Sequence, residues 1–179
     1  METLTNISVP TKEQVNADSQ AIFDQLEGQL GFVPNIYATI GYSSNALSSF
    51  LTFSGNAGNG TFSKKEIEAI KLAVSDSNNC AYCKAAHTAL AKMNGFSDED
   101  TVKLRKASIE DEKLNVLTTL AREVSEKSGH MSEESRQRFF EAGYDAKGLI
   151  DFAAVITAVT FTNYVHGMTK VPVDFPEVG

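Results

Sequence analysis

Cys80 and Cys83 are the only cysteines of the chain, and His87 follows the second of them. On a helix these positions, i, i+3 and i+7, fall on one stripe. A Cys-x-x-Cys pair with an imidazole one turn beyond its second sulfur is a redox-capable arrangement. Thiolate is the nucleophile in such chemistry, and a helix N-terminus or a nearby base makes it available near neutral pH. Cys80 comes directly after the polar break Ser77-Asn78-Asn79, which predicts a place at or just before the first turn of its helix. There, free backbone N–H groups and the macrodipole stabilise an anion by ~0.3–1 kcal/mol at an exposed site. Cys83, one turn in, gains less from the dipole but has His87 at i+4, where a base can take the thiol proton. A third group must orient that imidazole. Glu68 on the preceding helix fills this role if the two helices pack antiparallel across the short Asn78-Asn79 turn. The plainer reading of Glu68 is a solvated surface carboxylate, the common fate of a glutamate.

Metal binding is the first rival for the cysteine pair. A structural zinc site takes four ligands, usually two Cys pairs or a Cys pair with two spaced histidines. Here there is one pair, and His130 and His166 stand isolated, so the residual metal reading is a Cys80/Cys83/His87 site with one open position, and the expectation is no metal and no cofactor. A net charge of −7 disfavours non-specific binding to nucleic acid or an anionic membrane. No run approaches the ~20 apolar residues of a spanning helix, and Met1-Glu2-Thr3-Leu4 lacks the marks of a signal peptide. A cytoplasmic location is the default expectation, and in that reducing compartment a Cys pair leans toward redox or metal work.

The elements that must position these groups all read as helices. At 179 residues, with 42% hydrophobic and 22% charged, the chain reads as one folded domain. Its expected division is an N-terminal helical extension over 1–60 and a core over 61–179. Val15, Ile22, Phe23, Leu26 and Leu30 predict a helix from Thr11 to Leu30, capped by Gly31. Pro34 makes Gly31 to Asn35 a turn. A short and a longer helix follow between Tyr37 and Phe53, interrupted near Gly41 to Ser44, and Gly55 to Gly60 reads as a loop. Ser63-x-x-Glu66 is a capping box opening a helix to about Ser77, with Ile67, Ile70 and Val74 as its core stripe. The cysteine helix then runs to Asn94-Gly95. Further helices are expected from Ser97, over Glu110 to Ser128, over Ser132 to Ala142, and from Asp145 through about His166. That last one is apolar on more than one side, so it should be central or lie at a subunit interface. The tail from Val171 to Pro176 reads as extended. The phenylalanines, Phe32, Phe50, Phe53, Phe139, Phe140, Phe152 and Phe161 among them, are read as core. His130 reads as exposed, and His166 as a helix-end histidine or a lining of the active pocket or of a subunit contact.

The run Glu68-x-x-x-Leu72-Ala73-Val74-Ser75-x-x-Asn78-x-Cys80-x-Tyr82-Cys83-x-x-Ala86-His87 resembles the carboxymuconolactone decarboxylase / alkyl hydroperoxidase D-like superfamily, in its peroxidase-related branch. Gly31-Phe32-Val33-Pro34-Asn35, Gly95-Phe96-Ser97, Asn163-Tyr164-Val165-His166 and Asp174-Phe175-Pro176 extend the likeness over nearly the whole chain. The resemblance implies an all-α, oligomeric, thiol-dependent peroxidase with the Cys-x-x-Cys at the N-terminus of a central helix. By position it makes Cys83 the peroxidatic residue and Cys80 the resolving one, closing a Cys80–Cys83 disulfide. It makes His87 the base and Glu68 the relay acid, with Tyr82 and His166 as auxiliary candidates. The implied partners are a small organic hydroperoxide or hydrogen peroxide, a dithiol reductant, and further copies of the chain as a dimer, trimer or hexamer. One position departs from the pattern. The family's hydroperoxidase has a histidine just before the second cysteine, where this chain has Tyr82; a phenol of unperturbed pKa ~10 is no base near pH 7. Decarboxylase members lack the cysteine pair, which disfavours that activity. The remaining alternative is a redox-responsive or general thiol-disulfide protein without efficient turnover.

Overall fold

The computed structural model describes residues 7–178, all of whose regular elements are helical. The expectation about a signal peptide concerns residues outside that range. A 3-10 turn, Lys12–Gln14, precedes nine helices: α1 (Ala17–Leu30), α2 (Asn35–Ile40), α3 (Ser44–Ala57), α4 (Lys64–Ser77), α5 (Ala81–Met93), α6 (Asp98–Arg105), α7 (Glu112–Glu126), α8 (Glu133–Glu141) and α9 (Ala146–Thr169).

The centre of the fold is α4. The Ser63/Glu66 capping box opens it, and residues all round its axis are buried, from Ile67 and Ile70 to Ala73 and Asp76. A helix buried on nearly every side needs neighbours on nearly every side, and α4 packs against α5, α6, α7 and α9. One cluster joins Ile70, Val74, Leu117, Leu120, Phe139, Phe152 and Val155 across α4, α7, α8 and α9. A second gathers Phe23, Ile36, Leu47 and Phe50 from the N-terminal helices around Cys80, Tyr82 and Cys83. Each large aliphatic or aromatic side chain so buried contributes roughly 1.5–3 kcal/mol.

Several boundaries differ from the sequence expectation. Thr11 to Leu30 is not one helix. Asn16 accepts the Ser19 N–H at 3.0 Å and starts α1 afresh, because an Asn side chain competes for backbone N–H groups and favours a cap. Val15 is thereby left extended and buried. The predicted loop at Gly55 starts too early, since α3 continues to Ala57; a helical glycine costs only about 1 kcal/mol. Of the phenylalanines read as core, Phe32, Phe53 and Phe140 are exposed at 42%, 43% and 42%.

The last helix also differs. α9 extends to Thr169 and is long and apolar enough to cross a membrane, with a mean hydropathy of 1.4 over its best window. In the fold it is a packing helix: Phe152, Val155, Ile156 and Val159 face the core. Ile150, Tyr164 and Met168 remain exposed on the opposite side.

Candidate active site

The connection from α4 to α5 sets the site. Cys80 N–H donates to Ser75 O at 2.9 Å and Asn79 N–H to Asp76 O at 3.0 Å, closing a Schellman motif in which Asn79 takes a left-handed φ of 52°. Asparagine tolerates that conformation better than other non-glycine residues. Cys80 is therefore both the residue beyond the end of α4 and the N-cap of α5. Its sulfur accepts the Cys83 N–H at 3.2 Å. The reversal is tight enough to lay α4 alongside α5.

Cys80 and Cys83 are joined by a disulfide, and both are 2% exposed. Cys83 Sγ lies 3.8 Å from Thr162 Oγ1 on α9. The Thr162 hydroxyl donates to Val159 O at 2.8 Å, so it presents lone pairs to the sulfur.

His87 Nδ1 and Glu68 Oε2 are 2.8 Å apart. Glu68 is only 6% exposed, which rules out a solvated surface carboxylate. Burial by itself would raise its pKa, but the charge of His87, the hydrogen bond from it and the charge of Lys71, 3.9 Å away, together hold it below the usual glutamate range. An ionised carboxylate can only accept, so Nδ1 carries the shared proton and Nε2 is the ring nitrogen left for a second partner.

The phenol of Tyr82 is committed elsewhere. It donates to Asp174 Oδ1 at 2.6 Å and accepts the Ile36 N–H at 3.3 Å. Asp174 Oδ2 also accepts the Asn35 N–H at 2.7 Å. Burial, first, and the Asp174 bond push the Tyr82 pKa well above the ordinary tyrosine value, so the group stays a neutral clamp tying α2 and the tail to α5. The His166 ring lies 6.1 Å from that ring, between centroids, with its pKa lowered by burial and by Lys170.

Cys83, His87, Tyr82 and Thr162 open on a cavity of about 310 Å³. The rest of its wall is almost wholly apolar: Leu30, Phe32, Pro34 and Ile36 from the N-terminal segments, Ala86, Ala89, Leu90 and Met93 from α5, and Phe175 from the tail, together with Tyr37. Cys80 and His166 are not on that wall. A larger depression of about 470 Å³ between α7 and α8, lined by Glu112, Lys113 and Arg138 among others, lies away from both cysteines. No cluster of His, Cys, Asp and Glu fit for a metal ion occurs among the described residues.

Sequence reasoning passed over Thr162 and Tyr37. Thr162 had a signal, being the polar member of the buried stripe Val155, Val159, Thr162. Tyr37 had none, because its place depends on how α2 folds over α5.

Residues 45–123 match the carboxymuconolactone decarboxylase family. Among solved structures, a complex of the debrominase Bmp8 with 2,3,4-tribromopyrrole superposes with a TM-score of 0.79 at 18% identity, over 97% of this chain and 93% of that one. An uncharacterized peroxidase-related protein from Silicibacter sp. TM1040 gives 0.79 at 24% identity, over 90% and 87%. An alkylhydroperoxidase AhpD core from Ralstonia eutropha JMP134, likewise peroxidase-related, gives 0.78 at 22%, over 89% and 86%. These likenesses establish the fold. No curated protein sequence matches the chain.

Proposed function

From a chain that carries the carboxymuconolactone decarboxylase family pattern over residues 45–123, we propose a thiol-dependent peroxidase that reduces small organic hydroperoxides. The observation that carries this reading is the joint opening of Cys83 and a carboxylate-held imidazole, His87, on one apolar cavity. In the reduced protein His87 Nε2 takes the Cys83 proton, and the thiolate attacks the terminal peroxide oxygen. The O–O bond breaks, an alcohol leaves with the proton returned by His87, and Cys83 becomes a sulfenic acid. Cys80 then attacks the Cys83 sulfur, water departs, and the disulfide forms; a dithiol reductant restores both thiols. Glu68 holds the tautomer and offsets the positive charge that develops on the ring.

The apolar wall favours a substrate with an apolar body over hydrogen peroxide. Ile150, Tyr164, Met168 and Met93, exposed at 71%, 64%, 81% and 82%, support association of copies of the chain. A second reading is favoured by the debrominase of the same fold: reductive removal of a halide from an aromatic ring, with the two thiols supplying the electrons and closing the same disulfide. Turnover with excess dithiol on cumene hydroperoxide and on tribromopyrrole, run in parallel, separates the two. Consumption of the hydroperoxide alone supports the peroxidase; bromide release without hydroperoxide consumption replaces it with the dehalogenase. Failure of both leaves the redox-responsive thiol protein as the account of the chain.

A further inference from the structure

Two phenols, Tyr37 and Tyr82, line the same cavity, and their hydroxyls are in opposite situations. That of Tyr82 is saturated by Asp174 and the Ile36 N–H. The Tyr37 ring packs 5.9 Å from Phe50, while its hydroxyl has no hydrogen-bond partner among the described residues. A phenol O–H in an apolar setting ordinarily finds a partner. Elsewhere on the wall, the Thr162 proton is spent on Val159 O. Tyr37 thus presents the one uncommitted hydroxyl among the described residues of the wall that Cys83 and His87 share.

We propose that the Tyr37 hydroxyl is the hydrogen-bond donor to the leaving oxygen of the hydroperoxide as Cys83 attacks it. This rests on the peroxidase reading and adds a catalytic residue to it. In the transition state the Cys83 S–O bond forms as the O–O bond breaks, and negative charge grows on the oxygen attached to carbon. Sulfur is oxidised and the peroxide reduced. The proton that completes the alcohol is the one His87 took from Cys83, so Tyr37 donates a bond and keeps its own proton. Burial, foremost, and the nearby charge of Glu68 raise the Tyr37 pKa above the ordinary value, which suits a donor and not a base. Developing oxyanions draw their main stabilisation from such fixed donors in a water-poor site.

The test uses Cys80→Ser, which leaves Cys83 as the sole thiol, with and without Tyr37→Phe. Sulfenic acid formation, trapped by dimedone, is timed against a series of ring-substituted cumene hydroperoxides whose alcohols differ in acidity; iodoacetamide alkylation of the same thiol is the control. Tyr37→Phe should slow oxidation by about 10–100-fold, toward the lower side of what one oxyanion donor supplies. It should also steepen the dependence of rate on alcohol acidity, and leave alkylation unchanged. Equal rates and equal slopes would overturn the Tyr37 role and leave the peroxidase standing. A matching loss in oxidation and alkylation would reduce Tyr37 to a packing residue. A parent protein that forms no sulfenic acid with any hydroperoxide removes the peroxidase reading and this inference with it.

Discussion

Glu68→Gln isolates the charge in the proposed relay. The Nδ1 to Oε2 contact is 2.8 Å between two largely buried groups, and a glutamine oxygen can occupy the same place and still accept. What changes is the charge. A hydrogen bond to an ionised partner contributes about 1.5–3 kcal/mol, and a neutral one about 0.5–1.5. The difference, about 1–1.5 kcal/mol, corresponds to a rate loss of roughly 5–12-fold if it is expressed fully in the transition state. His87→Ala removes the base outright and should cost about 10²–10⁴-fold. If the two act as a unit, as proposed, the double variant should lose little more than His87→Ala does. The assay is the stopped-flow rate at which prereduced protein is oxidised by cumene hydroperoxide, with circular dichroism confirming unchanged helix content. A Glu68→Gln protein at the parent rate would refute the orienting role, and a fully active His87→Ala protein would remove the mechanism.

Other consequences follow from the same geometry. Since Cys83 lines the cavity and Cys80 does not, a thiol reductant should attack Cys83, expelling Cys80 as a thiolate toward the Cys83 N–H; peptide mapping of the trapped mixed disulfide should find the adduct on Cys83, and an adduct on Cys80 would reverse the roles. Tyr82→Phe removes the bond to Asp174 and leaves the buried Ile36 N–H without its acceptor, and should lower stability by about 1–3 kcal/mol in denaturant titrations while affecting peroxide turnover less than His87→Ala. The Glu68 pKa is depressed on folding, so its stabilisation is complete above the unfolded value of about 4.3 and is lost as pH falls through the folded value below it; Glu68→Gln should flatten the acid limb of stability against pH in that window, and an unchanged limb would contradict the assigned pairing.

Helical periodicity made the order of elements from α3 to α9 legible, together with the Ser63/Glu66 box and the Gly31 cap, because these are local patterns. The Cys-x-x-Cys-x-x-x-His spacing and the short Asn78-Asn79 reversal were enough to bring Glu68 toward the thiol helix. What could not be read was non-local. Whether Val15 continues a helix is decided by an Asn16 cap and a hydrophobic pocket, not by periodicity. Phe32 read as core because an aromatic carries no mark of which apolar surface it joins, and it lines the cavity instead. Tyr82 stood between the cysteines like a replacement for a catalytic base, yet its hydroxyl is claimed by Asp174, ninety-two residues on. Only the path of the tail over α2 and α5 reveals that contact.

The most direct measurement is one turnover without added reductant. Prereduced protein mixed with an equivalent of cumene hydroperoxide should yield an equivalent of 2-phenyl-2-propanol and a Cys80–Cys83 disulfide, passing through a dimedone-reactive Cys83 that accumulates in Cys80→Ser. Hydroperoxide that survives contact with the reduced thiols, or oxidation that proceeds equally well in Cys83→Ser, would contradict the account.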